Sequence, residues 1–320
     1  MKVAKISLVF ALVLAVVMTL VSGPAFAEFP EKPITYTIPF NPGGESDITA
    51  RLQEPELEKI LGVAVNVTHK PGGGGAVAWG EFQRTAEPDG YSIIGFNIPH
   101  IIGQPMLRKE AGYETDGFKP IMWFHFTPNV LVVSKDSEFK TLDDFIAFAK
   151  EKPFVATVGG SGTYSANHLE TIRLMKAADI DLTYVPYTGT GPVIPALMGG
   201  HIKAAMSYSP VSVNYKDKFR TLAVAADERV PAMPDVPTFK ELGYDIVGGA
   251  FRGVAAPIGT PQAVVDKLAE AFTEANKEIS KKQLALGFVM KYATGDEAPA
   301  LIEQMRKAYG DVLNDLKNKK

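Results

Sequence analysis

Ile34-Thr35-Tyr36-Thr37-Ile38 is a run of β-forming character, and Pro39-Phe40-Asn41-Pro42-Gly43-Gly44 supplies turn chemistry before Glu45-Ser46-Asp47 opens a helical pattern. The order predicts a strand, a glycine loop and a helix start, with Ser46 and Asp47 as N-caps. The arrangement returns later: a strand over 154–158, a glycine and hydroxyl loop running Gly159-Gly160-Ser161-Gly162-Thr163-Tyr164-Ser165, and a helix over 169–177. A chain that alternates strand, glycine loop and helix is confined to an α/β architecture. The first N–H groups of each helix lack internal partners, and the helix dipole places about half a positive charge there, so each loop can hold an anionic group.

The N-terminus carries Lys2 and Lys5, then an apolar run over 6–21, then Ser22-Gly23-Pro24-Ala25-Phe26-Ala27. Basic, apolar and small-residue segments in that order predict a signal peptide over 1–27, cleaved after Ala27, and export to the periplasm. The apolar run is short against the about 20 residues of a membrane span, and the small-residue break follows at once. No cysteine is present, which excludes lipid attachment at one. The remaining length suits one large or two medium domains. A formal net charge of −3 without basic clusters argues against nucleic acid as a partner.

Four glycines, Gly72 to Gly75, precede a second helical pattern. No Lys-Ser or Lys-Thr follows, so the P-loop form fails, and only a loose G-x-G-x-x-A spacing remains. The next strand, 92–96, runs into Asn97 where a ribose-binding acid would stand, so a loop that lets backbones pass closely is preferred to a nucleotide cradle. Asn97 and His100 emerge at the strand end where open sheets place ligands, and either becomes a rim contact or a polar loop residue. Ser161 between glycines invites comparison with a nucleophile elbow, but position 163 is Thr and the required order of acid and histidine leaves only His201. Pro186 to Pro192 holds Thr188 and Gly189 before another helix. Arg252 is a lone cation in an apolar extended run, open to reading as an ion-pair partner or as a carboxylate clamp. The five histidines show no metal-ligand spacing, so no metal and no cofactor are expected.

Taken together, Phe29-Pro30-Glu31-Lys32-Pro33-Ile34, Pro39 to Asp47, Lys70-Pro71-Gly72-Gly73-Gly74, Pro88-Asp89-Gly90-Tyr91, Gly160-Ser161-Gly162-Thr163 with His168, Val185-Pro186-Tyr187, Gly199-Gly200-His201 and Arg252-Gly253 through Ala256-Pro257-Ile258-Gly259-Thr260-Pro261 resemble one family. It is that of the substrate-binding proteins of tripartite tricarboxylate transporters, also called Bug proteins, and the likeness spans essentially the whole mature chain. The resemblance implies a type II periplasmic-binding-protein fold of two α/β lobes, lobe 1 at 28–126 and 253–320 and lobe 2 at 127–252. It implies a non-enzymatic, monomeric protein that holds a small carboxylate, a di- or tricarboxylate being favoured, and delivers it to a membrane permease with a large and a small subunit. A periplasmic sensor for a membrane signalling protein, or a secreted serine hydrolase using Ser161, are the alternatives. The ligand contacts expected are Phe40, Asn41, Gly43, Gly44, Glu45, Ser46 and Asp47 from the first loop. Gly160, Ser161, Gly162, Thr163, Tyr164, Ser165 and His168 come from the second, with Asn97, His100, Thr188, Gly189, Ser207, Tyr208 and Arg252 around them. At the end of the strand after Gly200-His201, where the family often has an acidic residue, this chain reads Met206-Ser207-Tyr208, which leans against an amino-acid ligand. Pro55 is expected to kink or interrupt the first helix. The later patterns predict strands over 120–124 and 130–134, a short helix over 239–243 stopped by its glycine, and a last amphipathic helix over about 297–317.

Overall fold

A computed structural model describes residues 29–108 and 110–318; the expected signal segment lies outside the described residues. Residues from Lys32 onward form one compact unit. In its first part, β1 (Ile34–Ile38) leads to α1 (Glu45–Leu61), β2 (Val65–His69), α2 (Ala76–Thr85), β3 (Ser92–Ile98), α3 (His100–Leu107) and the long β4 (Phe118–Ser134). Then come α4 (Leu142–Glu151), β5 (Thr157–Gly160), α5 (Ala166–Ala178), β6 (Thr183–Pro186), α6 (Thr190–Met198), β7 (Ala204–Tyr208), α7 (Ser209–Asn214) and β8 (Phe219–Val224). The chain closes with β9 (Gly249–Pro257), α8 (Gln262–Ala285), β10 (Val289–Thr294), α9 (Glu297–Ala308) and α10 (Gly310–Asn318).

The strands follow the order β2-β1-β3-β9-β4-β7-β5-β6, with β10 and β8 also paired to β4. Within it, β1 lies between β2 and β3, parallel to both, and β5 lies between β6 and β7, again parallel to both. The chain therefore leaves β1 to one side and returns on the other, and it does the same at β5. Each glycine loop sits at such a reversal, at the C-terminal end of its strand, which is where open α/β sheets take ligands.

β4 ties the two halves together. Through Pro128 it pairs with β9, from Asn129 to Val133 it pairs with β7, and β8 joins it from Val130 to Ser134. The cores divide along the same line. One gathers Trp79, Phe96, Trp123, Ile302 and Leu313, while Leu131, Phe145, Val158 and Met206 belong to a second and Val130, Val132, Ile194 and Val224 to a third. Aromatic rings stack in the first, Phe96 on Trp123 at 5.0 Å between centroids.

Several elements differ from the sequence reading. Helix α1 runs unbroken through Pro55. Pro55 is on the exposed side, so the carbonyl it frees reaches water, while Thr49, Gln53 and Leu57 keep the helix seated on its buried face. Two strands expected over 120–124 and 130–134 are one continuous β4. The short helix expected over 239–243 is a series of turns, held by Leu242 N–H to Phe239 and Gly243 N–H to Lys240 carbonyls. The final helix is two, α9 and α10, meeting at Tyr309, and the sequence reading omits α3 and α7.

Candidate functional site

The first loop forms because Asp47 ties it to itself. Its Oδ2 accepts the Gly43 N–H at 2.8 Å, and its Oδ1 lies 2.7 Å from His69 Nε2. Helix α1 begins at Glu45, with Gly44 at the N-cap and no side-chain cap, so Ser46 and Asp47 stand inside the first turn rather than before it. That shift turns the Glu45 side chain inward, and Glu45 is 3% exposed. The second loop is held by Asn167, whose Oδ1 accepts from the Ser161 backbone N–H at 3.0 Å and from the Ser161 hydroxyl at 2.6 Å. Ser165 caps α5 by accepting the His168 N–H.

A cavity lies where these loops converge. Phe40, Asn41, Gly44, Glu45, Ser46 and Asp47 line it from the first loop and α1, and Asn97 and His100 from the end of β3 and the start of α3. Ser161, Thr190 and Tyr208 close it from the β5, α6 and β7 side, and Arg252 from β9. It leaves only about 10 Å³ for the centres of water molecules, room for about one. The loops thus meet closely. A Cβ on Gly162 would lie 2.7 Å from Gly74 Cα, and one on Gly191 would strike the Pro42 carbonyl oxygen.

A larger groove of about 720 Å³ runs between α4, α5 and α10, far from these loops. Its charges face water and pair with one another, Lys176 to Asp315 at 3.2 Å. That pair carries no argument for a ligand, because exposed ion pairs of this kind are weak.

The electrostatic centre of the cavity is Arg252, 3% exposed. One of its terminal nitrogens is 3.4 Å from Glu45 Oε2 and the other donates to the Thr127 hydroxyl and, at 3.4 Å, to the Ala250 carbonyl. The guanidinium carbon sits 4.4 Å from the centre of the Tyr208 ring. Of the two readings the sequence left open for Arg252, the ion pair is therefore present, and its partner is Glu45. Thr190 Oγ1 also donates to Glu45 Oε2, at 2.9 Å. Burial raises the Glu45 carboxyl above its ordinary range, an effect that Arg252 partly offsets. Burial and then the charge of Arg252 lower His100 to about 3 and hold His125 well below its usual value, so both imidazoles are neutral at pH 7. Tyr208 is pushed up to about 12 by burial.

Of the residues expected at the site, Gly43, Gly160, Gly162, Thr163, Tyr164, Ser165, His168, Thr188, Gly189 and Ser207 do not line the cavity. Several of them build its wall. Tyr164 N–H donates to His168 Nδ1 at 3.0 Å, and burial lowers His168 to about 4, which keeps it an acceptor. Tyr184 OH donates to the Gly162 carbonyl. Thr188 is exposed. Thr190 was missed; its signal is the helix start Thr190-Gly191-Pro192 directly after the Gly189 turn. Among the described residues no histidine is bonded to Ser161, whose hydroxyl donates to Asn167 instead. Ser207 does not line the cavity, and the acidic residues that do are Glu45 and Asp47 of the first loop and its helix.

Residues 49–314 match the family model of the tripartite tricarboxylate transporter family receptor. The chain belongs to this receptor family. It is 34% identical over 267 residues to a protein of Cupriavidus necator described as the UPF0065 protein in the gbd 5′ region, which covers 80% of this chain and 79% of that one. Among solved structures it is similar to the periplasmic binding protein BugD, with a TM-score of 0.85 at 28% identity over 90% of this chain and 98% of that chain. It is equally similar in sequence, 28%, to MatC of Rhodopseudomonas palustris with bound malate, with a TM-score of 0.82 over 89% of this receptor and 100% of MatC. The receptor accordingly has the α/β fold of periplasmic binding proteins, and its family is one of periplasmic solute-binding proteins.

Proposed function

We propose that this receptor captures a small organic carboxylate between two lobes and hands it to a membrane permease built of a large and a small subunit. The observation that carries this reading is the Arg252 guanidinium, buried in a cavity between loops from both halves of the fold and keeping its Nε without a protein partner. With its Glu45 ion pair made, the buried guanidinium still has one donor to give, and a ligand carboxylate oxygen is an acceptor suited to it. Lobe 1 would comprise 28–126 and 253–320, and lobe 2 would comprise 127–252, the boundaries falling where β4 exchanges partners and where β9 passes the cavity. MatC, with its bound malate, supports a carboxylate of about that size. One guanidinium suits a mono- or dicarboxylate better than a tricarboxylate. The basic, apolar and small-residue order of the first 27 residues and the periplasmic relatives support cleavage after Ala27 and a place in the periplasm.

Closure is required on energetic grounds. A micromolar dissociation constant corresponds to about −8.2 kcal/mol, whereas one charge-assisted hydrogen bond contributes about 1.5–3 kcal/mol and one exposed helix terminus about 0.3–1. No single loop reaches that total. Both loops and Arg252 acting together on one molecule, with water excluded and several such bonds made at once, can. Calorimetric and thermal-shift screening of the mature chain against C4 to C6 mono-, di- and tricarboxylates and aromatic acids tests the proposal. At least one acid is expected to bind at micromolar concentration or tighter and to raise Tm. Failure of every acid at millimolar concentration would overturn it.

A further inference from the structure

A plain carboxylate site would hold cations and neutral donors, yet this cavity contains a carboxylate of its own. Glu45 and Arg252 are each 3% exposed and face one another at 3.4 Å. Each also keeps one polar atom without a protein partner, Oε1 on Glu45 and Nε on Arg252, and Asn41 Oδ1 beside them is unpartnered as well. The Nδ1 of His100, which lines the same cavity, is unpartnered too, so the open valences are one charged donor, two acceptors and one imidazole nitrogen. A ligand that matches them brings an acceptor and a donor close together.

We infer that Glu45 selects the ligand: the site takes a small carboxylate bearing a hydroxyl or ammonium group on the adjacent carbon, with the carboxylate on Arg252 and the donor on Glu45. This inference rests on the carboxylate reading above. A ligand offering carboxylates alone would bring like charge against Glu45 in a cavity where one guanidinium already faces it, and would leave Oε1 and the Asn41 oxygen unpaired. A ligand with its own donor satisfies both. Sites built to bond a ligand hydroxyl or amine discriminate strongly against the analogue that lacks it, because buried polar groups are then left without partners.

Matched ligands test this. Succinate, malate and aspartate share one carbon chain and differ at one position in carrying hydrogen, hydroxyl or ammonium, and glutarate, 2-hydroxyglutarate and glutamate repeat the series one carbon longer. By calorimetry on the mature chain, at least one donor-bearing acid is expected to bind about tenfold or more tightly than its unsubstituted parent. In Glu45→Met that gap should shrink to within about threefold, while the parent acid binds as well or better because Arg252 is released. Glu45→Gln keeps an acceptor but no charge, and there the ammonium preference should vanish while a hydroxyl preference persists; this variant carries the test if Glu45→Met does not fold. Equal affinity of the native chain for parent and substituted acids, or an undiminished ammonium preference in Glu45→Gln, would overturn the assignment. Should other carboxylates in the wider screen bind without regard to an adjacent donor, this inference falls and the carboxylate reading stands. Should none bind, both fall.

Discussion

Arg252→Met is expected to weaken carboxylate binding by about 100-fold or more and to cost about 3–5 kcal/mol of folding stability at neutral pH. The binding loss follows from removing the one guanidinium that lines the cavity among the described residues. The stability loss has another source: Glu45, 3% exposed, would keep its Thr190 hydrogen bond but lose the charge that opposes its burial. Burial already raises the Glu45 carboxyl, and without Arg252 it rises further. A carboxyl raised in the folded state keeps its contribution below its unfolded value and loses it as pH rises through the folded value, so the penalty grows with pH. Denaturant melts at pH 5 and pH 8 should show the larger loss at pH 8. Adding Glu45→Gln to Arg252→Met should recover part of the stability and none of the affinity. Unchanged affinity in the single variant would remove Arg252 from the site.

The second large effect is expected at Gly191, and it separates closure from folding. Gly191 lies in the first turn of α6, its φ is not in the left-handed region, and an added Cβ meets only the Pro42 carbonyl oxygen and Asn41 from the facing loop. Alanine is favoured over glycine within a helix by about 0.5–1 kcal/mol. If the lobes close as proposed, the clash falls on the closed form alone, so Gly191→Ala should leave stability unchanged or raised while affinity falls about 10- to 100-fold. Calorimetry paired with thermal melts checks both. If stability and affinity fell together, the two loops would be part of one rigid core; if neither fell, the approach of α6 to the first loop would play no part in binding.

Much of the site's framework was legible from local chemistry. Gly43 and Gly44 after a β run, and Gly160 and Gly162 after another, mark loops at strand ends, and the topology adds that both loops sit where the strand order reverses. Local patterns could not reach the pairings that decide the chemistry. Glu45 and Arg252 are 207 positions apart, and Glu45 and Thr190 are 145 apart, so the ion pair and its hydroxyl brace exist only once the sheet is assembled. The element errors have similar causes. Pro55 breaks a helix only when packing does not hold it, and α1 packs along α8 through Gln53, whose Nε2 donates to Asn276 at 3.1 Å. Thr127-Pro128 looks like a strand end, yet β4 continues because a new partner strand takes over there. Helix α3 contains Gly103 and Pro105 and is buried on most sides, so it has no polar face to reveal its period.

Because the chain contains no cysteine, the approach of the first loop to the start of α6 can be tested with a single introduced pair. A Cβ at Gly44 would lie 3.7 Å from the Thr190 Cβ, within the about 3.5–4.5 Å span of a disulfide, and the backbone of Gly44 at φ −87° accepts a side chain. The variant Gly44→Cys with Thr190→Cys should cross-link under mild oxidation, faster when a bound carboxylate is present. Once cross-linked it should neither take up nor release ligand until it is reduced. Failure of the thiols to join, or ligand exchange at the reduced protein's rate while joined, would contradict capture between two closing lobes.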